Sequence, residues 1–324
     1  MITDVEGVLV GHHHRIEPGW ATGTTVVLVP AGATGAVDQR GGAPGTRETD
    51  LLEPENLIRQ VHAICLSGGS AYGLAAADGV MRWLSGHHHG FRVGAAAHEV
   101  VPIVPSAVIF DLPRGEWGNR PDASFGYAAC EAASAGPVEE GTVGAGAGAR
   151  VGSLKGGVGT ASEVVGDFTV GALAVVNAAG EAVRLDTGVP YAADHGDFGV
   201  VWPDRPGDVP AVQRTDLNTT IGVVAVDAEL SKADCRRLTV AAQDGLARAV
   251  RPAHTMFDGD TVFAVATGAR ALPSGDGPRT VALDALCSAA ARVFARAMVR
   301  GTLSATGLPG LPAYRDVWPE VFAG

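Results

Sequence analysis

Short apolar runs alternate along this chain with longer segments in which apolar residues recur at helical spacing. The short runs end in turn residues, as strands do, and we predict strands at 24–31, 62–69, 219–227 and 260–268. The longer segments predict helices, among them 71–86 and 280–301. This alternation predicts a layered α/β or α+β architecture, and 324 residues allow one large domain or two ordinary ones.

Two helix ends carry clear local signals. Ser231 and Asp234 have the spacing of a capping box, which predicts the start of a helix that runs to about Val250. Pro252 blocks any extension, because proline cannot donate the backbone hydrogen bond that a helix needs. Gly301 is predicted to close the helix that begins near residue 280, since glycine is the usual residue just after a helix.

The middle of the chain is predicted to hold a hairpin and then a long irregular segment. Residues 168–183 predict a strand, a turn at 178–180 and a second strand. Residues 186–217 are rich in Asp, Gly and Pro and show no sustained period, so we predict an exposed loop there.

The composition argues against nucleic acid and membranes as partners and indicates the compartment of the protein. With 46% hydrophobic and 18% charged residues the chain has a globular composition, and a net charge of −11 without a basic cluster argues against nucleic acid or an anionic membrane as partner. No 18-residue apolar run predicts a membrane span, and Asp4 and Glu6 stand where a signal peptide would be basic. Four separated cysteines without a CxxC pair predict reduced thiols in a cytoplasmic protein.

Two motifs are weak candidates for a metal or a nucleotide. The runs His12–His14 and His87–His89 cannot turn three consecutive side chains onto one ion, so we predict polar surface loops and no metal. Gly144, Gly146 and Ala149 give a loose dinucleotide fingerprint, but no clear strand precedes it. A non-enzymatic nucleotide-binding protein built around residues 144–152 stays open as an alternative.

The segment GGSAYG was compared with the nucleophile elbow of hydrolases. Its pattern is Gly68-x-Ser70-x-Tyr72, which lacks the last glycine of G-x-S-x-G. What remains is a predicted helix N-terminus with free N–H groups, which would suit a substrate carboxylate or a developing negative charge.

Two carboxylates stand together at the entry to a predicted buried strand. Asp258 and Asp260 are two residues apart, and residues at that spacing on a strand face the same side. Both acids are therefore predicted to point into one site. The alternative is a pair of solvated carboxylates in a turn.

Asn218 and Thr219 stand between the predicted loop and a predicted strand. If the Asn218–Thr219 bond is cut, Thr219 gains a free α-amine whose ordinary pKa is about 7.7–8, within reach of its own hydroxyl. One residue would then supply both nucleophile and base, and the uncut hydroxyl would make the cut by attacking the Asn218 carbonyl. From these residues alone, an ordinary threonine at a strand entry remains the alternative.

Several stretches taken together resemble one family. They are ITDVEGVLVGHH, ICLSGGSAYGL, VGAGAGARVGSLKGGVGTAS, GALAVVNAAGEAV, NTTIGVVAVDA and HTMFDGDTVFAVATG. They occur in order through nearly the whole chain and resemble the D-aminopeptidase/β-aminopeptidyl peptidase family, especially its threonine branch, the 6-aminohexanoate-oligomer (nylon oligomer) hydrolases. The resemblance implies a single α/β domain of sheets sandwiched between helices, of the N-terminal-nucleophile type.

The resemblance also implies self-cleavage and a set of site residues. The precursor would be cut into an α chain, 1–218, and a β chain, 219–324, with Thr219 as the nucleophile. Asp258 and Asp260 would position the new amine and hydroxyl. Tyr72 would lie near the substrate carbonyl and Asn177 would serve as an oxyanion donor.

One family position departs from the pattern. The family commonly has a lysine just after its glycine-rich run, where this chain has Ser153, so Lys155 is the candidate to take its place. The family pattern needs no metal or organic cofactor and implies a tetramer of αβ units. The substrate is predicted to be a small peptide or an ω-amino acid (6-aminohexanoate-type) oligomer, with release of N-terminal D- or β-amino acids as the alternative.

Overall fold

The structure, a computed structural model, describes residues 1–210 and 217–322 and mixes strands with helices throughout. Its strands are β1 (Leu9–Glu17), β2 (Trp20–Gln39), β3 (Thr46–Arg47), β4 (Gln60–Ser67), β5 (Phe91–Arg92), β6 (Val100–Val101), β7 (Ser106–Val108), β8 (Arg150–Val151), β9 (Leu154–Lys155), β10 (Val158–Val165), β11 (Phe168–Val175), β12 (Ile221–Ala228) and β13 (Thr261–Arg270). Its helices are α1 (Ala76–Gly86), α2 (Ala123–Glu131), α3 (Lys232–Ala249), α4 (Asp276–Ser304) and α5 (Tyr314–Val317).

One large sheet carries the site. Across the described residues its strand order is β10-β11-β12-β13-β2-β4-β7-β3, and β1 pairs with β2. The pairs β12–β13 and β4–β7 are parallel, and the other pairs are antiparallel. The four strands predicted from the sequence are confirmed within β2, β4, β12 and β13.

The long strand β2 divides this sheet into two halves. Its first part pairs with β1 and β4, whereas its last part pairs with β13. The register with β4 shifts between Leu28 and Ala33, where Pro30 offers no N–H and Gly32 has a φ of 87°. The strand therefore leaves one half of the sheet and enters the other at this irregular point.

Three apolar clusters show how the two halves stack. A central cluster joins residues of both halves, including Val27, Ile64, Val223 and Phe263. A second cluster packs the other face of β12 and β13 against α3 and α4, and a third packs the other face of β2 and β4 against α1 and α2. The result is a helix–sheet–sheet–helix sandwich, which confirms the predicted layered α/β fold.

The predicted helix ends are partly confirmed. Ser231 accepts from the backbone of Asp234 in a capping box, and α3 ends at Ala249 as expected. Gly301 does not close α4, which continues to Ser304. A Cβ at Gly301 would lie 3.0 Å from Gly157 O, so this glycine lets the helix pack closely against the backbone that leads into β10.

The hairpin predicted at 168–183 is wrong in its second half. Residues 176–183, which follow β11, form isolated bridges at Glu181 and Val183 and no second strand. Ala179 N donates to the carboxylate of Asp258 at 2.9 Å, which holds this segment beside the site and not in the sheet. The segment predicted as a loop at 186–217 is irregular in its described part, apart from a short 3₁₀ turn, and its residues 211–216 lie outside the described residues.

Within residues 1–210 and 217–322, no helix combines the length and the apolar character that crossing a membrane requires.

Candidate active site

Thr219 lies two residues before β12, with its backbone N–H and its hydroxyl in hydrogen bonds. Its backbone N–H donates to Asn177 O at 2.6 Å, and its hydroxyl donates to the carbonyl oxygen of Asn218. The same hydroxyl oxygen accepts the N–H of Gly259 at 3.1 Å. The side chain is 4% exposed. The hydroxyl therefore already contacts the peptide group that it would have to attack.

A small cavity opens against this threonine. It has a volume of about 140 Å³, and its wall is formed by Ala43, Pro44, Gly45, Ser70, Ala71, Val108, Ile109, Phe110, Leu217, Asn218 and Thr219. None of these side chains is charged. The arrangement places an aliphatic and aromatic surface beside the hydroxyl and the Asn218–Thr219 bond.

Asn177 offers a donor that nothing satisfies. Its Oδ1 accepts from Arg150 N at 2.9 Å, while its Nδ2 is buried and has no hydrogen-bond partner among the described residues. A buried unpaired donor is costly to a folded protein and is often explained by function. Because Asn177 O also accepts the N–H of Thr219, this free donor belongs to a residue in contact with the predicted nucleophile.

Asp258 lies at the entry to β13, where the sequence placed it. It precedes β13, and its carboxylate accepts from Ala179 N at 2.9 Å and from Thr255 N at 3.1 Å. Burial, together with the charge of Asp260, raises the pKa of Asp258. The turn carboxylate that the sequence offered as an alternative is thus buried, and it ties two backbone segments together.

Asp260 faces a different set of partners. Its Oδ1 accepts from Thr220 N at 2.8 Å, and its Oδ2 accepts from His254 N at 3.1 Å. His254 Nδ1 also lies 2.8 Å from Oδ2. Each acid therefore holds a different stretch of backbone around Thr219, while the charge of Asp260 also acts on Asp258, and that both serve one site stays a prediction. The sequence did not assign His254 a role, although it stands six residues before Asp260.

Lys155 is fully buried in the glycine-rich region. Its Nζ donates to Gly146 O at 2.7 Å and to Gly156 O at 2.6 Å. Burial lowers the pKa of Lys155 to about 7, and the charge of Asp111 acts in the opposite direction. The described contacts of this ammonium are therefore to carbonyl oxygens and not to Thr219.

The pKa of Lys155 predicts a pH dependence of stability. Between pH 7 and 10.5 the unfolded lysine binds a proton that the folded one has released, so the free energy of unfolding should rise with pH in this window. The lysine contributes at most about 1.4 kcal/mol per pH unit to this slope. Denaturant unfolding from pH 7 to 10 should show that Lys155→Met has a flatter profile than the wild type. Parallel profiles for the two proteins would contradict the lowered pKa.

The glycine-rich segment does not have the form of a nucleotide site. Gly144 N donates to His14 Nδ1 at 3.2 Å, and Ala145 N donates to Thr25 Oγ1 at 3.0 Å. Gly146 N donates to Val143 O at 2.8 Å. Because these N–H groups are buried and bonded within the chain, they are not presented to a phosphate, and this geometry gives no support to the nucleotide-binding alternative.

The first histidine run is part of the support for this segment. His12–His14 lie in β1 and not in the predicted surface loop, and His12 Nδ1 lies 2.9 Å from Thr25 Oγ1. Burial lowers the pKa of His12 to about 4. In the part of the chain that the structure describes, no group of three His, Cys, Asp or Glu side chains gathers as metal ligands.

The turn at Gly68 and Gly69 depends on an acid that the sequence did not single out. Asp111 accepts from Gly69 N and from Thr22 Oγ1, both at 2.6 Å, and burial raises its pKa to about 6. Ser70 N donates to Ile109 O at 3.0 Å. The first N–H groups of this turn are therefore already taken, contrary to the prediction that they are free. No local motif marks Asp111, because its partners are distant in sequence.

Tyr72 lies away from the cavity wall. It stands in the 3₁₀ turn Ser70–Ala75 that precedes α1, and it is 54% exposed. The guanidinium of Arg120 lies over its ring, 3.8 Å from the ring centre. The residues of this turn that line the cavity are Ser70 and Ala71.

A family model and several known proteins match nearly the whole length of this chain. The model of peptidase family S58 matches residues 1–314. An uncharacterized aminopeptidase of Mycobacterium bovis is 55% identical over 343 aligned positions, covering 99% of this chain and 98% of that protein. A 6-aminohexanoate-oligomer endohydrolase of Kocuria sp. is 32% identical and covers 93% of this chain and 84% of its own length.

Among solved structures, the fold has a close match. The L-aminopeptidase D-Ala-esterase/amidase of Ochrobactrum anthropi, described as a variant of the Ntn hydrolase fold, superposes with a TM-score of 0.73. The match covers 98% of this chain and 93% of that chain at 24% identity. At 24% identity this similarity supports the fold alone, and the matched fold agrees with the helix–sheet–sheet–helix sandwich.

Proposed function

From the premise that this chain belongs to peptidase family S58 and is a hydrolase of amide bonds, we propose that it first cuts itself. The cut falls between Asn218 and Thr219 and leaves an α chain, 1–218, and a β chain, 219–324. Thr219 then acts as an N-terminal nucleophile on small amides or short peptides. A tetramer of such pairs, which analytical ultracentrifugation would test, and a cytoplasmic location complete the proposal.

The contact between the Thr219 hydroxyl and the Asn218 carbonyl carries this proposal. The hydroxyl bonds to the very carbonyl whose carbon it would attack, and Asn177 O holds the nitrogen that would leave. The cavity against the hydroxyl gives a later substrate amide a place to bind. A threonine that only began a strand would not require the hydroxyl contact, the held nitrogen and the cavity together.

Self-cleavage follows as two balanced steps. Thr219 Oγ1 forms a bond to the carbonyl carbon of Asn218, the bond from that carbon to Thr219 N breaks, and the hydroxyl proton ends on the nitrogen. Water then hydrolyses the ester, which frees Asn218 as a carboxylate and returns the hydroxyl to Thr219. The new α-amine accepts the hydroxyl proton during turnover and passes it to the leaving amine.

The surrounding side chains act on these steps in different ways. The free Nδ2 of Asn177 is the donor that we assign to the oxyanion of the substrate. Asp258 and Asp260 position Thr219 through the backbone segments that they hold, and their negative charges favour the ammonium form that appears during attack. Lys155 fixes the glycine-rich backbone behind the site. Tyr72, on the surface of this chain, can assist only from outside the present cavity wall.

The wall of the cavity supports an uncharged acyl group as the preferred substrate. Val108, Ile109, Phe110 and Leu217 offer apolar surface, and burying an acidic group there without a partner would be costly. In a 6-aminohexanoate oligomer the part of the acyl group next to the scissile amide is an uncharged alkyl chain, and the terminal ammonium lies at the far end of that chain, so the alkyl part fits this wall. Release of N-terminal D- or β-amino acids remains the second candidate, since the 55% identical relative is described as an aminopeptidase.

A panel of amides tests the function and the substrate class together. We expect processed enzyme to hydrolyse the 6-aminohexanoate dimer and oligomers faster than D-alanine amide or β-alanyl peptides, because the first group buries alkyl chain against the wall. Amides with a glutamyl acyl group should be the poorest, and product formation would be followed by chromatography. No hydrolysis of any amide would contradict the function. A preference for the glutamyl amide would contradict only the substrate class.

A further inference from the structure

The backbone N–H of Gly259 faces the attacking hydroxyl oxygen and the oxygen of the carbonyl that it attacks. It donates to Asn218 O at 3.2 Å and to Thr219 Oγ1 at 3.1 Å. Attack by the hydroxyl places negative charge on Asn218 O. An N–H already pointing at that oxygen has the position of an oxyanion donor, which stabilises the charge as it develops.

The segment around Gly259 is held on both sides before any reaction occurs. On one side, Asp258 is bonded to Ala179 N, and on the other, Asp260 is bonded to Thr220 N. Both aspartates are fully buried. Such a donor needs no reorganisation when charge appears, which is the property that makes oxyanion donors effective.

Position 259 requires glycine for space. A Cβ there would lie 2.8 Å from Thr219 Oγ1 and 2.5 Å from Ala43 O. Its φ lies outside the left-handed region, so conformational freedom is not the reason for the glycine. Any side chain would press on the nucleophile, whereas glycine lets the N–H approach it.

We propose that the Gly259 N–H is the oxyanion donor of self-cleavage and that Asn177 Nδ2 is the donor for substrate turnover. The inference rests on the proposed function, because it assigns the donors of the two reactions of Thr219. In the uncut chain Gly259 N contacts the scissile carbonyl, while Asn177 Nδ2 has no partner among the described residues. Asn177 instead holds Thr219 N through its backbone carbonyl. The two reactions therefore draw on different donors around one hydroxyl.

Replacing the residue at 259 by glycolic acid tests this assignment, because the backbone ester removes the N–H and adds no side chain. Cell-free translation with a tRNA charged with glycolic acid would supply the chain. A matched ester at Gly277, an exposed position where a Cβ would meet nothing within 4 Å, is the control. We expect the ester at 259 to slow cleavage of the Asn218–Thr219 bond by about 10²- to 10³-fold relative to the control.

The fraction of the 259 ester that does become cut provides the second measurement. Relative to the cut control, it should lose much less in hydrolysis of a substrate amide than in self-cleavage, because Asn177 is intact. Equal cleavage rates for the two esters would overturn the role of Gly259, and an equal loss in cleavage and turnover would overturn the division between the donors. Mass spectrometry identifies the bond that was cut.

Failure of the underlying function gives a different result. If the Gly277 ester, which keeps the Gly259 N–H, does not cut itself at all, or if Thr219→Ala still cuts at the same bond, self-cleavage by Thr219 is wrong. Resistance to limited proteolysis, compared with the control, shows whether the 259 ester has folded.

Discussion

Thr219→Ala should leave the chain in one piece and without amide hydrolase activity. The substitution removes the hydroxyl that bonds to the Asn218 carbonyl and would form the ester. Intact-mass analysis of the wild type should show the fragments 1–218 and 219–324, whereas the variant should show one mass. Activity on an amide should fall to the uncatalysed rate, because neither the hydroxyl nor the α-amine is present.

Thr219→Ser is the matched control for this variant. Serine keeps the hydroxyl and loses only a methyl group, so this chain should still be cut and active. If Thr219→Ala splits at the same bond, an external protease or another residue makes the cut. A serine variant that folds but stays whole would show that the hydroxyl alone is insufficient.

Asn177→Asp should lower kcat for amide hydrolysis by about 10²- to 10³-fold, the usual cost of removing one oxyanion donor. Aspartate keeps an oxygen acceptor for Arg150 N and replaces the free Nδ2 by a second oxygen. The loss should therefore appear mainly in kcat and less in KM. Steady-state kinetics on the processed enzyme, with its melting temperature measured in parallel, provide the check.

Asn119→Asp is the matched control for this change. Asn119 Nδ2 donates to Gly19 O at 2.9 Å, so it loses a structural donor and not a free one. We expect this variant to melt earlier but to keep its kcat. Unchanged kcat in Asn177→Asp would remove Asn177 from the chemistry and leave the oxyanion without an assigned side-chain donor.

The sequence predicted the elements that depend on local signals. The capping box at Ser231 and the strands around the site follow from residue type and spacing, and the structure contains them. The juxtaposition of Asn218 and Thr219 with a strand entry was also visible, because both residues precede an unbroken apolar run.

What the sequence did not predict depends on distant contacts. Asp111 lies below the Gly68–Gly69 turn through bonds to Thr22 and Gly69, whose separations along the chain carry no local pattern. Ala179, which the sequence placed in the turn of a predicted hairpin, donates its N–H to Asp258, and the second strand of that hairpin does not form. The spacing argument expected Asp258 and Asp260 to face one side, whereas the bonds of the two carboxylates depend on Ala179, Thr255 and Thr220, which no local pattern links to them.

The strand order determines how the two proposed fragments would stay associated. Strands β12 and β13 come from residues after 219, yet they lie between β11 and β2, which come from residues before 218. The strands of the two proposed fragments are thus interleaved within one sheet. Neither could be withdrawn without breaking two ladders of backbone hydrogen bonds, and the fragment 1–218 alone would have a gap in the middle of its sheet. We therefore expect the proposed cleavage to follow folding, and to change the chemistry of Thr219 while the sheet stays intact.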